Sequence, residues 1–385
     1  MHLLFVSHSA ELMGAERSLV ALVREAAQVR GHRITVTLPA AGPLESELTA
    51  AGAAVTVLPT RLWMGRRHLG PVGVLRSVQA LASVPRYRRF LRRARPDLVV
   101  TNSAVVPAGA IAARLAGVRH VWTVRESLLT NPSLRSALPR RTIARIIAAR
   151  SVGVVAISRY VAGQLLAAAP GVGAKLRVVP PSVEPGAVRP PAPSGGHGPA
   201  GAHGLARLVL LGRFTPEKGQ ADAIEALGHC LRAGCPLRLT LAGVGDPVAQ
   251  RAVRELAERH GVGHLVDVSA WADDPYPLYA AADATLMLSR NEAYGRVTVE
   301  SLMAGTPVIG YRAGATTELL TDGGGVLVEP DAGALARALL DLAADAGAVG
   351  RLRSAAARRA GELTAAPSSA PQFVSYLEEL RTDRR

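Results

Sequence analysis

Short, uniformly apolar runs recur along the chain, spaced widely enough for a helix between each pair. His2–Ser7 leads through a polar turn into a helical pattern reaching about Val29. Further runs follow at Ile34–Leu38, Ala54–Leu58, Leu98–Thr101, His120–Val124, Gly153–Ile157 and Leu176–Val179. Apolar runs this short, alternating with helical stretches, predict strands of a parallel sheet covered on both faces. Between Pro180 and Gly204 the rhythm stops, because closely spaced prolines and glycines halt helices and weaken strand pairing. It restarts with a strand at Leu208–Gly212, a helix near Glu217–Ala233, a strand at Leu237–Ala242 and a helix near Ala249–His260. Strands at Leu265–Val268, Ala284–Leu288, Pro307–Gly310 and Gly325–Val328 complete the pattern. The expectation is α/β, with two doubly wound domains facing across a cleft: a first domain over 1–185, a Pro/Gly-rich linker over 186–206 and a second domain over 207–368. A final helix over 369–385 is expected to pack back on the first domain.

Length agrees with two cores, since 385 residues with 49% hydrophobic content exceed the usual single-core size. The opening apolar run has no basic leader or cleavage site, and every later one is interrupted well before the ~18 residues a membrane span needs. No signal peptide or span is expected, which points to a cytoplasmic protein. Cys230 and Cys235 are the only cysteines, so a disulfide framework is excluded. His229 beside them invites a metal, but two further ligands are missing nearby in sequence.

Charge is divided unevenly. Residues 1–190 hold 26 Lys+Arg against 8 Asp+Glu, whereas the remainder holds 19 against 22. The surplus is densest from Arg61 to Arg95, where Arg66, Arg67, Arg86, Arg88, Arg89, Arg92, Arg93 and Arg95 sit among Trp63, Tyr87 and Phe90. Two readings stand side by side: a solvated helix face in an arginine-rich proteome, or a surface that attracts anionic lipid headgroups or an acidic acceptor. Nucleic acid is not expected, because no recognised nucleic-acid module accompanies the charge. Only Lys175 and Lys218 are lysines, against 43 arginines, so a lysine retained at a turn stands out against the bias.

In doubly wound sheets, ligands bind beyond the carboxyl ends of the strands, where helix N-termini offer unpaired N–H groups. Two segments fall there. Arg213-Phe214-Thr215-Pro216-Glu217-Lys218-Gly219 follows a strand and brings two cations to a helix's first turn, suited to a diphosphate or simply to a charged surface turn. Asn291-Glu292-Ala293-Tyr294-Gly295-Arg296-Val297-Thr298-Val299-Glu300 follows the strand at Ala284–Leu288, with Gly295 at the turn and a helix expected from about Arg296. Glu292 and Glu300 then flank the amides of Gly295, Arg296 and Val297. The eight-residue spacing alone means little, since Glu217 and Glu225 share it; its placement carries the information.

With these segments the second half resembles the GT-B glycosyltransferases, specifically the retaining family 4. That family is marked by Arg-x4-Lys, matched by Arg213 and Lys218, and by Glu-x7-Glu, matched by Glu292 and Glu300. The resemblance implies two Rossmann-like domains and sugar transfer from a nucleoside-diphosphate sugar to an acceptor, with retention. Arg213 and Lys218 would hold the donor diphosphate, Glu300 the ribose hydroxyls, and Glu292 the transferred sugar, making Glu292, Arg213 and Lys218 the catalytic candidates. Gly295, Arg296 and Val297 would complete the donor pocket, with Gly243, Val244 and Trp271 near the base. Gly14, in Met13-Gly14-Ala15-Glu16, occupies the place of the family's Gly-Gly-Ala-Glu loop with one glycine fewer. Arg125-Glu126 stands where many relatives carry a histidine followed by an acid, and is assigned to the acceptor side.

No Asp-x-Asp occurs, and Asp273-Asp274 are adjacent rather than spaced to share a metal, so no metal and no other cofactor is expected. The acceptor could be a glycan, a lipid-linked intermediate or a small molecule. A nucleotide-dependent oxidoreductase is disfavoured, because no Gly-x-Gly-x-x-Gly follows the first strand. An epimerase-like, phosphorylase-like or non-catalytic sugar-nucleotide binder keeps the fold and stays open, although a non-catalytic partner has no need of all four charged residues Arg213, Lys218, Glu292 and Glu300.

Overall fold

The structure, a computed structural model, describes residues 1–66, 70–181, 183, 205–270, 274–365 and 369–382. The chain divides into two compact units, Met1–Ser182 with Pro367–Arg385, and Val183–Ala366. Most of the expected 186–206 linker lies outside the described residues, as does Trp271.

In the first unit the strands are β1 (His2–Val6), β2 (Arg33–Leu38), β3 (Ala53–Val57), β4 (Met64–Gly65), β5 (Leu98–Thr101), β6 (Arg119–Val124), β7 (Arg135–Ser136), β8 (Gly153–Ala156) and β9 (Leu176–Val178). Among the described residues, seven of them form one parallel sheet in the order β3-β2-β1-β5-β6-β8-β9, while β4 and β7 pair antiparallel. β1 is buried along its whole length, which explains its unbroken apolar sequence: both faces are covered by crossover helices. Helix Ser369–Thr382 belongs to this unit and places Phe373, Val374 and Leu377 in its core with Leu3, Phe5 and Val36. Each such side chain contributes roughly 1.5–3 kcal/mol on burial, so the helix is an integral part of the unit. His32 Nε2 with Glu378 Oε1 at 2.8 Å, and the Tyr376 hydroxyl donating to the Lys175 carbonyl oxygen at 2.8 Å, fix its position.

The second unit contains β10 (Arg207–Leu211), β11 (Arg238–Gly243), β12 (Val266–Ala270), β13 (Ala284–Met287), β14 (Val308–Tyr311) and β15 (Gly325–Val328), all parallel in the order β12-β11-β10-β13-β14-β15. The chain winds outward from β10 through β11 to β12, then returns beside β10 as β13 and winds the other way. The order reverses between β10 and β13, the place where adjacent loops part and leave a crevice at the carboxyl edge. In the first unit the corresponding reversal lies between β1 and β5.

No described helix is long and apolar enough to cross a membrane.

Candidate functional site

In the second unit the reversal brings together the loop after β10, which carries Arg213 and Lys218, and the loop after β13, which carries Glu292. Lys218 ends the short 3-10 turn Pro216–Lys218, and its ammonium donates to Glu292 Oε2 at 2.7 Å. Burial opposes charge on Glu292, yet the Lys218 ammonium, with the Ser289 hydroxyl and the Gly295 amide, holds its carboxyl below the ordinary glutamate range. The site thus holds an ionised carboxylate and an ammonium side by side. The Glu292 backbone is pinned as well, its carbonyl accepting from Ala315 N at 2.9 Å.

Gly295 caps the helix Arg296–Met303 at φ +95°, a conformation that suits glycine and turns the chain sharply from Glu292 into the helix. Glu300 lies one turn in. Its two oxygens are held separately, Oε1 by Arg296 Nη2 at 3.2 Å and Oε2 by the hydroxyl of Tyr279 at 3.1 Å. Tyr279 is fully buried; burial first, and then the Glu300 charge, raise its hydroxyl pKa well above the usual value, so it keeps its proton and donates to Glu300. Arg296 therefore works as a brace for Glu300. Val297 follows it in the first turn and is half-buried.

Arg213 is exposed, and its carbonyl accepts from Gln220 Nε2 at 2.8 Å, which closes the turn around Lys218. Gly243 ends β11 directly against Gly212: a Cβ there would sit 1.6 Å from the Gly212 carbonyl oxygen. Val244, 44 % exposed, accepts from Phe214 N at 3.0 Å. A second tie lies behind the charged pair. Arg290 Nη2 donates to Asp222 Oδ2 at 2.8 Å and to the Pro330 carbonyl oxygen at 2.6 Å, and the Tyr311 hydroxyl donates to the same Asp222 oxygen at 2.7 Å. Asp222 follows Lys218 by one turn and Arg290 precedes Glu292 by two residues, so this network joins the two loops that present the pair.

In the first unit Gly14 opens the helix Gly14–Arg24 after β1. Glu126 turns back toward the loop after β5, accepting from the Ser103 hydroxyl, from Ala104 N at 3.0 Å and from Arg125 N at 3.0 Å. Arg125 Nε donates to Asn102 Oδ1 at 2.8 Å. Both members of the Arg125-Glu126 pair thus organise the loops at the reversal, and Glu126 is engaged as an acceptor by backbone and hydroxyl groups. The indoles of Trp63 and Trp122, stacked 6.1 Å apart, donate to the Ala104 and Ser103 carbonyls, each at 2.8 Å, and stiffen the same loop.

Among the described residues no group of three or more His, Cys, Asp or Glu side chains comes together as a metal site, and Cys230 is buried with its thiol pKa pushed up to about 11 by burial and by Cys235.

Tyr279, Asp222 and Arg290 escape the sequence because each acts on a partner tens of residues away. Replacing Tyr279 by Phe should leave one Glu300 oxygen unheld and weaken binding of a ligand at this carboxylate roughly three- to tenfold, the pattern of a lost hydrogen bond that orients a binding group. Titration calorimetry of wild type and variant measures it, and an unchanged Kd would detach Tyr279 from ligand binding.

Two family models match the chain: "Glycosyltransferase Family 4" over residues 13–186 and "Glycosyl transferases group 1" over residues 202–360. The chain is 30% identical over 232 residues to a D-inositol 3-phosphate glycosyltransferase of Segniliparus rotundus, covering 58% of this chain and 50% of that protein. It is 29% identical over 181 residues to a GDP-mannose-dependent alpha-(1-6)-phosphatidylinositol dimannoside mannosyltransferase of Mycobacterium tuberculosis, covering 46% of this chain and 45% of that protein. The aligned parts thus span about half the length of these relatives. In fold it is similar to Anabaena HepE, solved in complex with UDP and glucose, at a TM-score of 0.74 and 21% identity over 98% of this chain and 99% of that one.

Proposed function

Because the chain belongs to the GT-B glycosyltransferases of group 1, we propose that it transfers a sugar from a nucleoside-diphosphate donor, bound by the second unit, to an acceptor hydroxyl bound by the first. The observation that carries this reading is the Lys218–Glu292 pair at 2.7 Å, set at the point where the sheet order reverses. A diphosphate arriving there meets Lys218 and Arg213, together with the amides that open the helix at Arg296. As the anomeric C–O bond breaks, the leaving diphosphate takes the electron pair, and these fixed positive groups meet the growing charge without reorganising. Glu300, held by Tyr279 and Arg296, is positioned to accept from ribose hydroxyls, and Glu292 to contact the sugar beside the breaking bond. The acceptor oxygen then bonds to the anomeric carbon and gives its proton to the departing diphosphate oxygen. Retention of configuration follows from the family resemblance.

Two side-chain cations and helix-terminal amides supply the charge a divalent ion would otherwise bring, so turnover is assigned to the protein without metal. The two relatives are named for an inositol phosphate and a phosphatidylinositol-based acceptor, and the surplus of basic residues in the first unit suits an acceptor of that anionic kind, whether a glycan, a lipid-linked intermediate or a small molecule. The enzyme is assigned to the cytoplasm, and the same surplus supports a peripheral place at the inner membrane face. A thermal-shift and hydrolysis panel of UDP- and GDP-sugars, run with and without EDTA, tests the reading. One sugar nucleotide should stand out, and its hydrolysis should survive chelation. A flat panel would refute donor binding, and complete loss in EDTA reversed by Mn²⁺ or Mg²⁺ would refute the metal-free assignment.

A further inference from the structure

Two of the three aromatic residues of the basic stretch are not presented at the surface. Trp63 is 4 % exposed and Tyr87 is fully buried, its hydroxyl donating to the Leu58 carbonyl, while Phe90 is half-buried. What the region exposes instead is aliphatic. In the helix Gly70–Leu81, Val72, Val74, Leu75, Val78 and Leu81 are each 47–59 % exposed, while the buried positions are Gly73 and Ala80. At 100° per residue the exposed positions occupy one continuous half of the helix and the small residues the other. This inverts the usual arrangement of a surface helix, whose large apolar residues face the core.

Single exposed valines are ordinary, but five on one face form a patch that calls for an occupant. Its surroundings identify the chemistry. Only Ala82 and Ser83 separate this helix from the next, Val84–Ala94, which buries Val84, Tyr87 and Leu91 and exposes Arg86, Arg89, Arg92 and Arg93. Between Glu47 and Asp97 the chain has ten arginines and no acidic residue. A protein partner of mixed charge gains little from such a field. A bilayer with anionic headgroups over an acyl interior matches both parts.

We propose that the helices Gly70–Leu81 and Val84–Ala94 form the membrane-docking element, the aliphatic face of the first seated at the headgroup–acyl boundary and the arginines of the second against anionic headgroups. This rests on the reading of a peripheral enzyme given above and names the surface and the lipid class. Attachment needs both helices: the arginines provide a salt-sensitive component and the aliphatic face a salt-resistant one.

The test is co-sedimentation of the full chain with vesicles of phosphatidylcholine alone or mixed with phosphatidylglycerol, at low and high salt. Two surface variants accompany the wild type, Val74→Ser/Leu75→Ser/Val78→Ser and Arg86→Gln/Arg89→Gln/Arg92→Gln/Arg93→Gln. Wild type should partition at least about tenfold more into anionic vesicles, the arginine variant should lose that preference, and the aliphatic variant should lose the binding that persists in high salt. Equal binding to both vesicle types, or wild-type binding by the aliphatic variant, overturns the proposal. So does concentration-dependent self-association that the aliphatic variant abolishes, since a second copy would then be the occupant. Hydrolysis of the soluble donor without vesicles should be the same in all three proteins. Its absence throughout would count against the glycosyltransferase reading while leaving the vesicle result to be judged separately.

Discussion

Glu292→Gln and Lys218→Ala should each lower kcat/KM by about two orders of magnitude or more, the scale seen when one preorganised charged contact is removed from a reacting site. The two changes damage the pair differently. Gln keeps the shape of Glu292 but deprives Lys218 of its counter-charge and the sugar of a carboxylate. Ala at 218 removes the cation that holds Glu292 ionised against its burial, so the Glu292 pKa should rise and its charge fade at a higher pH than in the wild type. Since the side chains touch, the double variant should lose far less than the product of the single losses. Steady-state kinetics of the three proteins, with circular dichroism to confirm folding, decide the matter. Wild-type turnover in a folded single variant would remove that residue from the chemistry.

Gly243→Ala is expected to be nearly as severe, through the backbone. The added methyl would lie 1.6 Å from the Gly212 carbonyl oxygen and 2.6 Å from its carbon, so the carboxyl ends of β10 and β11 must separate. Overpacking typically costs about 1–3 kcal/mol, and here no flexible side chain is available to yield. For a unit of this size the melting temperature should fall by roughly 5–10 °C. Because Arg213 follows Gly212 directly and Lys218 sits on the same turn, donor affinity should drop at least about tenfold as well. Gly350→Ala serves as the control. Gly350 is exposed in the helix Ala348–Ala365 with no atom within 4 Å of an added Cβ, and its substitution should be neutral or slightly stabilising. Equal melting points and donor affinities for the two variants would show that the sheet edge tolerates spreading.

The inner strands are legible in the sequence because each is a short run with both faces buried, which leaves no polar positions to blur it; β1, β5, β8 and β13 are buried throughout, whereas the edge strands β3, β9 and β12 are partly exposed and are legible by their place in the rhythm. The charged pair is legible because its members lie at fixed places in strand–turn–helix segments. Other features have no such signal. β4 and β7 are two residues each and exist only through each other. Tyr279 looks like any apolar helix residue until Glu300 is placed against its hydroxyl. Trp63 and Tyr87 stand among arginines and read as surface aromatics, whereas periodicity within the helix Val84–Ala94 assigns Tyr87 to the side shared with Val84 and Leu91. Composition over a window blurs what phase along the helix separates.

The return of helix Ser369–Thr382 to the first unit also bears on the order of events during synthesis. The sequence of the second unit lies wholly between the two segments that complete the first core. On the ribosome, Leu3, Phe5 and Val36 are therefore made long before Phe373, Val374 and Leu377 exist to cover them. The second unit needs nothing translated after Ala366 and is free to fold while the earlier one stands open. Birth order and maturation order should then be reversed, and the flank of β1 and β2 left uncovered in the nascent chain is the stretch a chaperone would have the longest time to find.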